Sequence, residues 1–146
     1  MNPTVPELLI GSLVAMSEPP EAEATGDFAA GRMGVLGLIS FLCAQEAETG
    51  AAVRHAENDA IRALFAVAAR EEWARELAGE LRPLAEGQDR DFTLTGLDAA
   101  NADLRRVLIR LQTVVEQSGH PDRERRILAL LLEHARARSL KLPGQL

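Results

Sequence analysis

Apolar residues recur along 95–118 at Leu97, Leu104, Leu108, Leu111 and Val115, with Asn101 in the same series, so that steps of four and three alternate. A second column, Ala100, Val107 and Val114, repeats every seven residues. The spacing predicts a helix with a wide apolar face of coiled-coil character. Thr95 with Asp98 three residues on approximates a capping box at its start, and Gly119 and Pro121 end it. A last helix is predicted over 122–139, with apolar positions at Ile127, Leu128, Leu130, Leu131, Leu132 and Ala135. Arg136, Arg138 and Lys141 crowd its carboxyl end, where cations suit the helix dipole.

Upstream, from Phe28 to Gly87, apolar positions keep helical spacing and no strand pattern is evident. Gly50 is placed to close a helix begun near Gly26, and a second helix then runs from Ala51 past Ile61, Leu64 and Phe65. The stripe that resumes at Trp73, Leu77, Leu81 and Leu84 is rotated by about 120° from the old one, which predicts a break or change of partner at 69–72. Residues 86–95 (EGQDRDFTLT) read as a solvated loop, and their resemblance to a calcium loop fails for lack of the glycine and the terminal Glu. At the amino end, Pro6 suits the first turn of a short helix running to about Met16. An acidic, proline-bearing connection follows over 17–27, with Thr25 or Asp27 as a cap for the next helix. The expected fold is all-α: one domain, an antiparallel bundle of four or more helices over 28–139. The short helix and acidic linker (1–27) precede it, and a tail (140–146) follows.

Composition strengthens the helical reading. The 146 residues are 47% hydrophobic and only 3% aromatic, with one Trp and no Tyr, so few side chains favour strands. The net charge of −6 argues against general affinity for nucleic acid or anionic lipid. That charge is uneven: residues 1–104 hold 7 basic and 18 acidic side chains, and residues 105–146 hold 9 and 4. Such a split fits a nucleic-acid surface, complementary faces of one bundle, or two copies packed head to tail. The basic third has no aromatic for base stacking, which counts against the first. One cysteine, Cys43, permits no intrachain disulfide, and the amino terminus lacks the basic residues of a secretory signal, so a cytoplasmic protein without a membrane anchor is expected.

Candidate chemistry narrows the picture further. In GRMGVLGLISFLCA (31–44) three glycines stand three apart, a spacing that matches neither the dinucleotide fingerprint nor the P-loop. Its 12 uncharged residues, 33–44, fall short of the roughly 20 needed to span a bilayer. On a helix, Ala30, Gly34, Gly37, Phe41 and Ala44 form a stripe whose bare first half predicts close approach of another helix, since each glycine costs about 0.8–1 kcal/mol relative to Ala. Cys43, without a neighbouring His or Arg, reads as a small buried hydrophobe. None of the three histidines follows a Glu by three residues, as a di-iron bundle requires, and Glu48 and His55 are separated by Gly50. Acids such as Glu71, Glu72, Glu76 and Glu80 read as a charged helix face. No catalytic residue, cofactor site or metal ligand is assigned.

The reading that remains is a non-catalytic bundle acting through protein contacts, with a homodimer favoured. Its candidate contact residues are Gly34, Gly37, Asn101, Leu104, Leu108 and Leu111, with Arg105 and Arg110 flanking the seam. Asn101 at a core-type position either sets register or oligomeric state or, the reading favoured, is half exposed in the first two turns of the helix. Two alternatives stand beside this reading. One is a small-molecule sensor or enzyme in which Asn101, His55 and His134 converge in a cavity. The other is a nucleic-acid binder using Arg123, Arg125, Arg126, Arg136 and Arg138 of the last helix.

Overall fold

The computed structural model describes residues 3–17 and 26–142. Among them are α1 (Val5–Ser17), α2 (Gly26–Ala68), a 3₁₀ helix (Glu72–Leu77), α3 (Ala78–Ala85), α4 (Leu94–Ser118) and α5 (Pro121–Ala137), with no strand. The fold is the expected all-α bundle. The body of the acidic connection (18–25), the Thr25 cap and residues 143–146 lie outside the described residues. The chain divides into two compact units, residues 1–50 with 140–146, and residues 51–139. The boundary falls inside α2.

In the first unit, α1 opens on the carboxylate half of a capping box: the Thr4 backbone N–H and hydroxyl both donate to Glu7 Oε2, at 2.8 and 3.0 Å. The first half of α2 turns Leu36, Ile39, Cys43, Glu46 and Gly50 inward in steps of three and four, and Cys43 is buried as expected. The glycine stripe is on another face. Gly34 and Gly37 are exposed, and a Cβ built on either meets nothing within 4 Å. The close approach of a neighbouring helix expected at these glycines is therefore not made within the described chain. Leu36 and Ile39, one or two places away, carry the inward stripe instead. Residues 140–142, expected as part of a tail, are tied to α2. The Gln45 amide donates to the Lys141 carbonyl at 2.8 Å, and the Lys141 N–H donates back to Gln45 Oε1 at 2.9 Å.

Gly50 does not close a helix. α2 runs through it to Ala68, and Gly119 alone among the described glycines has a positive φ. The break expected at 69–72 is present, where the chain turns and enters the 3₁₀ segment. In the second unit the directions alternate. Arg54 and Asn58 of α2 meet Asp98 and Asn101 of α4, so these helices run the same way. Between them in sequence, the 3₁₀–α3 stretch returns, with Glu80 against Arg110. α5 also returns, joined to α4 across Gly119 and His120 and ending with Arg138 beside Glu57. This is an up-down-up-down bundle around Ile61, Phe65, Leu81, Leu108, Leu111 and Val115. Its helix α4 starts two residues earlier than the expected Thr95 cap. Thr93 Oγ1 accepts the Gly96 N–H at 3.1 Å, and Asp91 Oδ1 accepts the Thr93 N–H at 2.9 Å. Gly119, at φ 67°, ends it in the left-handed conformation.

Candidate functional site

The inner face of α2 beyond Gly50 is buried at Arg54, Glu57, Asn58, Ile61, Arg62, Phe65 and Ala68. The first three are polar and the last two apolar, so the bundle has a polar end and an apolar end. A buried charge persists only when it is paired and hydrogen-bonded. Each of these has its partners on other elements of the same unit. Glu57, 2% exposed, takes a bidentate contact from Arg138, with Nε to Oε1 at 2.8 Å and Nη2 to Oε2 at 2.7 Å. Its Oε2 also accepts from Asn101 Nδ2 at 3.3 Å and faces Arg105 Nη2 at 3.6 Å. Arg54 Nε donates to Asp98 Oδ1 at 2.8 Å, an oxygen that Arg138 Nη1 approaches to 3.5 Å.

A second cluster is built on the loop before α4. Asp89, in the stretch expected to be plainly solvated, has a side chain only 1% exposed. Its carboxylate accepts from Arg62 Nη2, from Asn58 Nδ2 at 3.1 Å to each oxygen, and pairs through Oδ2 with His55 Nδ1 at 2.8 Å. Burial pushes this carboxyl upward. The hydrogen bonds from Arg62, His55 and Asn58, with the Arg62 charge, outweigh that and hold it below the usual range. Asn58 joins the two clusters: its Oδ1 accepts from Asn101 Nδ2 at 2.9 Å and its Nδ2 donates to the Leu97 carbonyl at 3.3 Å. On the outer side, Asp59 Oδ2 lies 3.5 Å from His55 Nε2, and Asp59 Oδ1 accepts from Arg62 Nη1 at 3.2 Å. Phe92 packs edge-on against the His55 ring, with centroids 5.2 Å apart.

His134 of α5 closes the polar end. It is 5% exposed, and neither ring nitrogen has a hydrogen-bond partner among the described residues. Burial holds its imidazole below the usual range. Glu57 and Glu133 oppose that effect, and the charges of Arg105 and Arg138 add to it.

The expected contact residues fall on different surfaces. Leu104, Leu108 and Leu111 are in the bundle core, and Asn101, expected either to govern assembly or to be half exposed, is buried and bonded to Glu57, Asn58 and Arg105. The hydrogen bonds described for it are all made within the chain. Arg110 pairs with Glu80 on the 3₁₀–α3 side, while Gly34 and Gly37 lie open in the other unit. The uneven charge is resolved inside the second unit: Arg105, Arg110, Arg123 and Arg138 pair with Glu57, Glu80, Glu71 and Glu57. Arg123 also lies over the Trp73 ring, 4.8 Å from its centroid.

Asn101, His55 and His134 all belong to the polar end, where Asn58 links Asn101 to the Asp89 carboxylate that His55 meets. The cavities described lie at the other end of the bundle. One of about 40 Å³ is lined by Leu64, Trp73, Val115 and Ile127, and an open cleft of about 400 Å³ is bordered by Glu71, His120, Asp122, Arg123 and Arg126. Sequence reasoning missed Asp89 and the pairing of His55 with Asp59. The second had a legible signal, His and Asp four apart in HAEND, which places both on one helix face. Among the described residues, no helix is long and apolar enough to cross a membrane. No family model, curated protein or solved structure matches the chain.

Proposed function

We propose that this is a non-catalytic helical protein that acts by contact with other protein surfaces, a second copy of itself first among them. The observation that carries the reading is the exposure of α1. Its sequence, VPELLIGSLVAMS, holds one charged residue and no polar face, yet Leu9 and Ile10 are 53% and 62% exposed. A helix apolar all round is stable in water only when covered. The first half of α2 repeats the feature, with Val35 and Leu38 exposed beside the open Gly34 and Gly37. Two like apolar helices are self-complementary under a two-fold axis, and bare glycines admit a close backbone. The polar end of the second unit supports the non-catalytic part of this reading, because its charged groups are engaged with one another. The basic residues of α5 give less support to nucleic-acid binding, since Arg123 and Arg138 are held by carboxylates. Of the two cavities described, the apolar one of about 40 Å³ is far below the several hundred Å³ of a ligand pocket, and the cleft of about 400 Å³ is open and bordered by charged side chains rather than apolar walls.

Light scattering coupled to size exclusion tests the proposal on the full chain. The expected outcome is a dimer that dissociates in Ile10→Glu and Leu38→Glu, and in Gly34→Leu if the glycine lies in the contact. A monomer at every concentration sinks self-association and moves the search to a different protein partner.

A further inference from the structure

We propose that His55 and Asp59 form a surface site for a divalent transition-metal ion of the Zn²⁺ class, with Asp89 as the carboxylate that sets the imidazole from behind. The two donors are four apart on α2 and so share a face. Their facing atoms, His55 Nε2 and Asp59 Oδ2, are 3.5 Å apart. That is long for a hydrogen bond. It matches two ligands of one tetrahedral ion, which at bond lengths near 2.0–2.2 Å stand about 3.3–3.5 Å from each other.

The surrounding groups prepare each donor. Asp89 holds His55 at Nδ1, 2.8 Å away, so the Nδ1–H tautomer leaves the Nε2 lone pair directed outward. A carboxylate on the non-ligating nitrogen is the usual support of a metal-binding histidine, and it raises ligand basicity. Asp89 is itself fixed by Asn58 and Arg62. Arg62 also takes Asp59 Oδ1, which leaves Oδ2 turned to the imidazole. The ring is steadied by the edge contact with Phe92. His55 and Asp59 are 40% and 59% exposed at their side chains, so an ion reaches them without opening the bundle. With a neutral imidazole, the two aspartates against one Arg62 leave a net negative charge. Imidazole nitrogen with carboxylate oxygen selects Zn²⁺, Cu²⁺ or Ni²⁺ over Ca²⁺ and Mg²⁺. Water completes the coordination of a site with two protein ligands.

The test is titration of the full chain with Zn²⁺, followed by calorimetry and by long-range ¹H–¹⁵N spectra of the histidine rings. The expected result is one equivalent bound, with the shift at His55 Nε2. Binding is lost in His55→Gln and Asp59→Asn and weakened about 10–100-fold in Asp89→Asn. No response of His55 at millimolar Zn²⁺ overturns the proposal. So does binding at unchanged affinity in Asp59→Asn, or in a folded Asp89→Asn. Asp59 is exposed, so its variant keeps the fold. It decides the matter alone if Asp89→Asn does not fold. The readout is separate from oligomeric state, so this site and the self-association stand or fall independently.

Discussion

His134 brings two unpaired ring nitrogens into the bundle beside Glu57, Arg105 and Arg138. Because its folded-state value is depressed, the unfolded chain takes up the proton first. The stability that depends on a neutral imidazole is complete above the unfolded value near 6.5, and it is lost as pH falls from there toward the depressed folded value. Thermal unfolding between pH 7.5 and 5 should show this loss. His134→Leu, which removes both orphaned nitrogens, should flatten the acid side at little cost near neutrality. Glu57 behaves oppositely. Removing it as Glu57→Ala takes the bidentate partner from Arg138 and one acceptor from Asn101, and should cost about 1–3 kcal/mol in denaturant unfolding. Neither environment was legible in the sequence. A His beside a Glu on an arginine-rich helix looks like a boundary residue, and its burial depends on partners on α2 and α4. Asn101 was legible as an anomaly, because one polar residue interrupts an otherwise apolar series. Its partners, 43 and 44 residues away, were not.

At the level of elements, periodicity served best where one face is buried throughout. In α4 the series from Leu97 to Val115 is buried at every place, so the pattern and the packing coincide. The first half of α2 lacks that contrast. Its residues are apolar on several faces, so glycines on an open face resembled a packing stripe. Gly50 misled for a related reason: a glycine suited to a helix end is also tolerated inside a long helix at about 1 kcal/mol. Gly119 is different, since its φ of 67° is one that L side chains rarely adopt. Gly119→Ala should therefore lower stability by about 1 kcal/mol, whereas Gly31→Ala on α2 should raise it slightly. Paired melts of the two variants separate a glycine that the backbone requires from one that it merely accepts. Gly96 is constrained from outside, because an added Cβ would collide with the Asp91 side chain.

For the molecule as a whole, the sequence was most informative about class and least about assembly. The amino-acid mixture and helical spacing were enough for an all-α chain. The charge split admitted three explanations, and only the coordinates show basic groups of the last third meeting acids of the middle third within one unit. The core and the polar layer described in residues 51–139 lie within that span. Expressed alone, it should unfold in one cooperative transition by circular dichroism. Two separate transitions, or none, would show that its stability depends on the remainder of the chain.

The contact between Glu57 and Arg138 joins residues 81 apart in sequence, and this has a consequence for the order of folding. The α4–α5 hairpin is local and can form early, whereas closing so long a loop comes late. During synthesis the Glu57 carboxylate therefore waits for Arg138, 81 residues further on, before its strongest partner exists. A nascent chain halted short of Arg138 carries the apolar core with Glu57 held only by Asn101 and Arg105. The bidentate pair thus closes the polar end late, and chains in which it has formed differ in stability from those in which it has not.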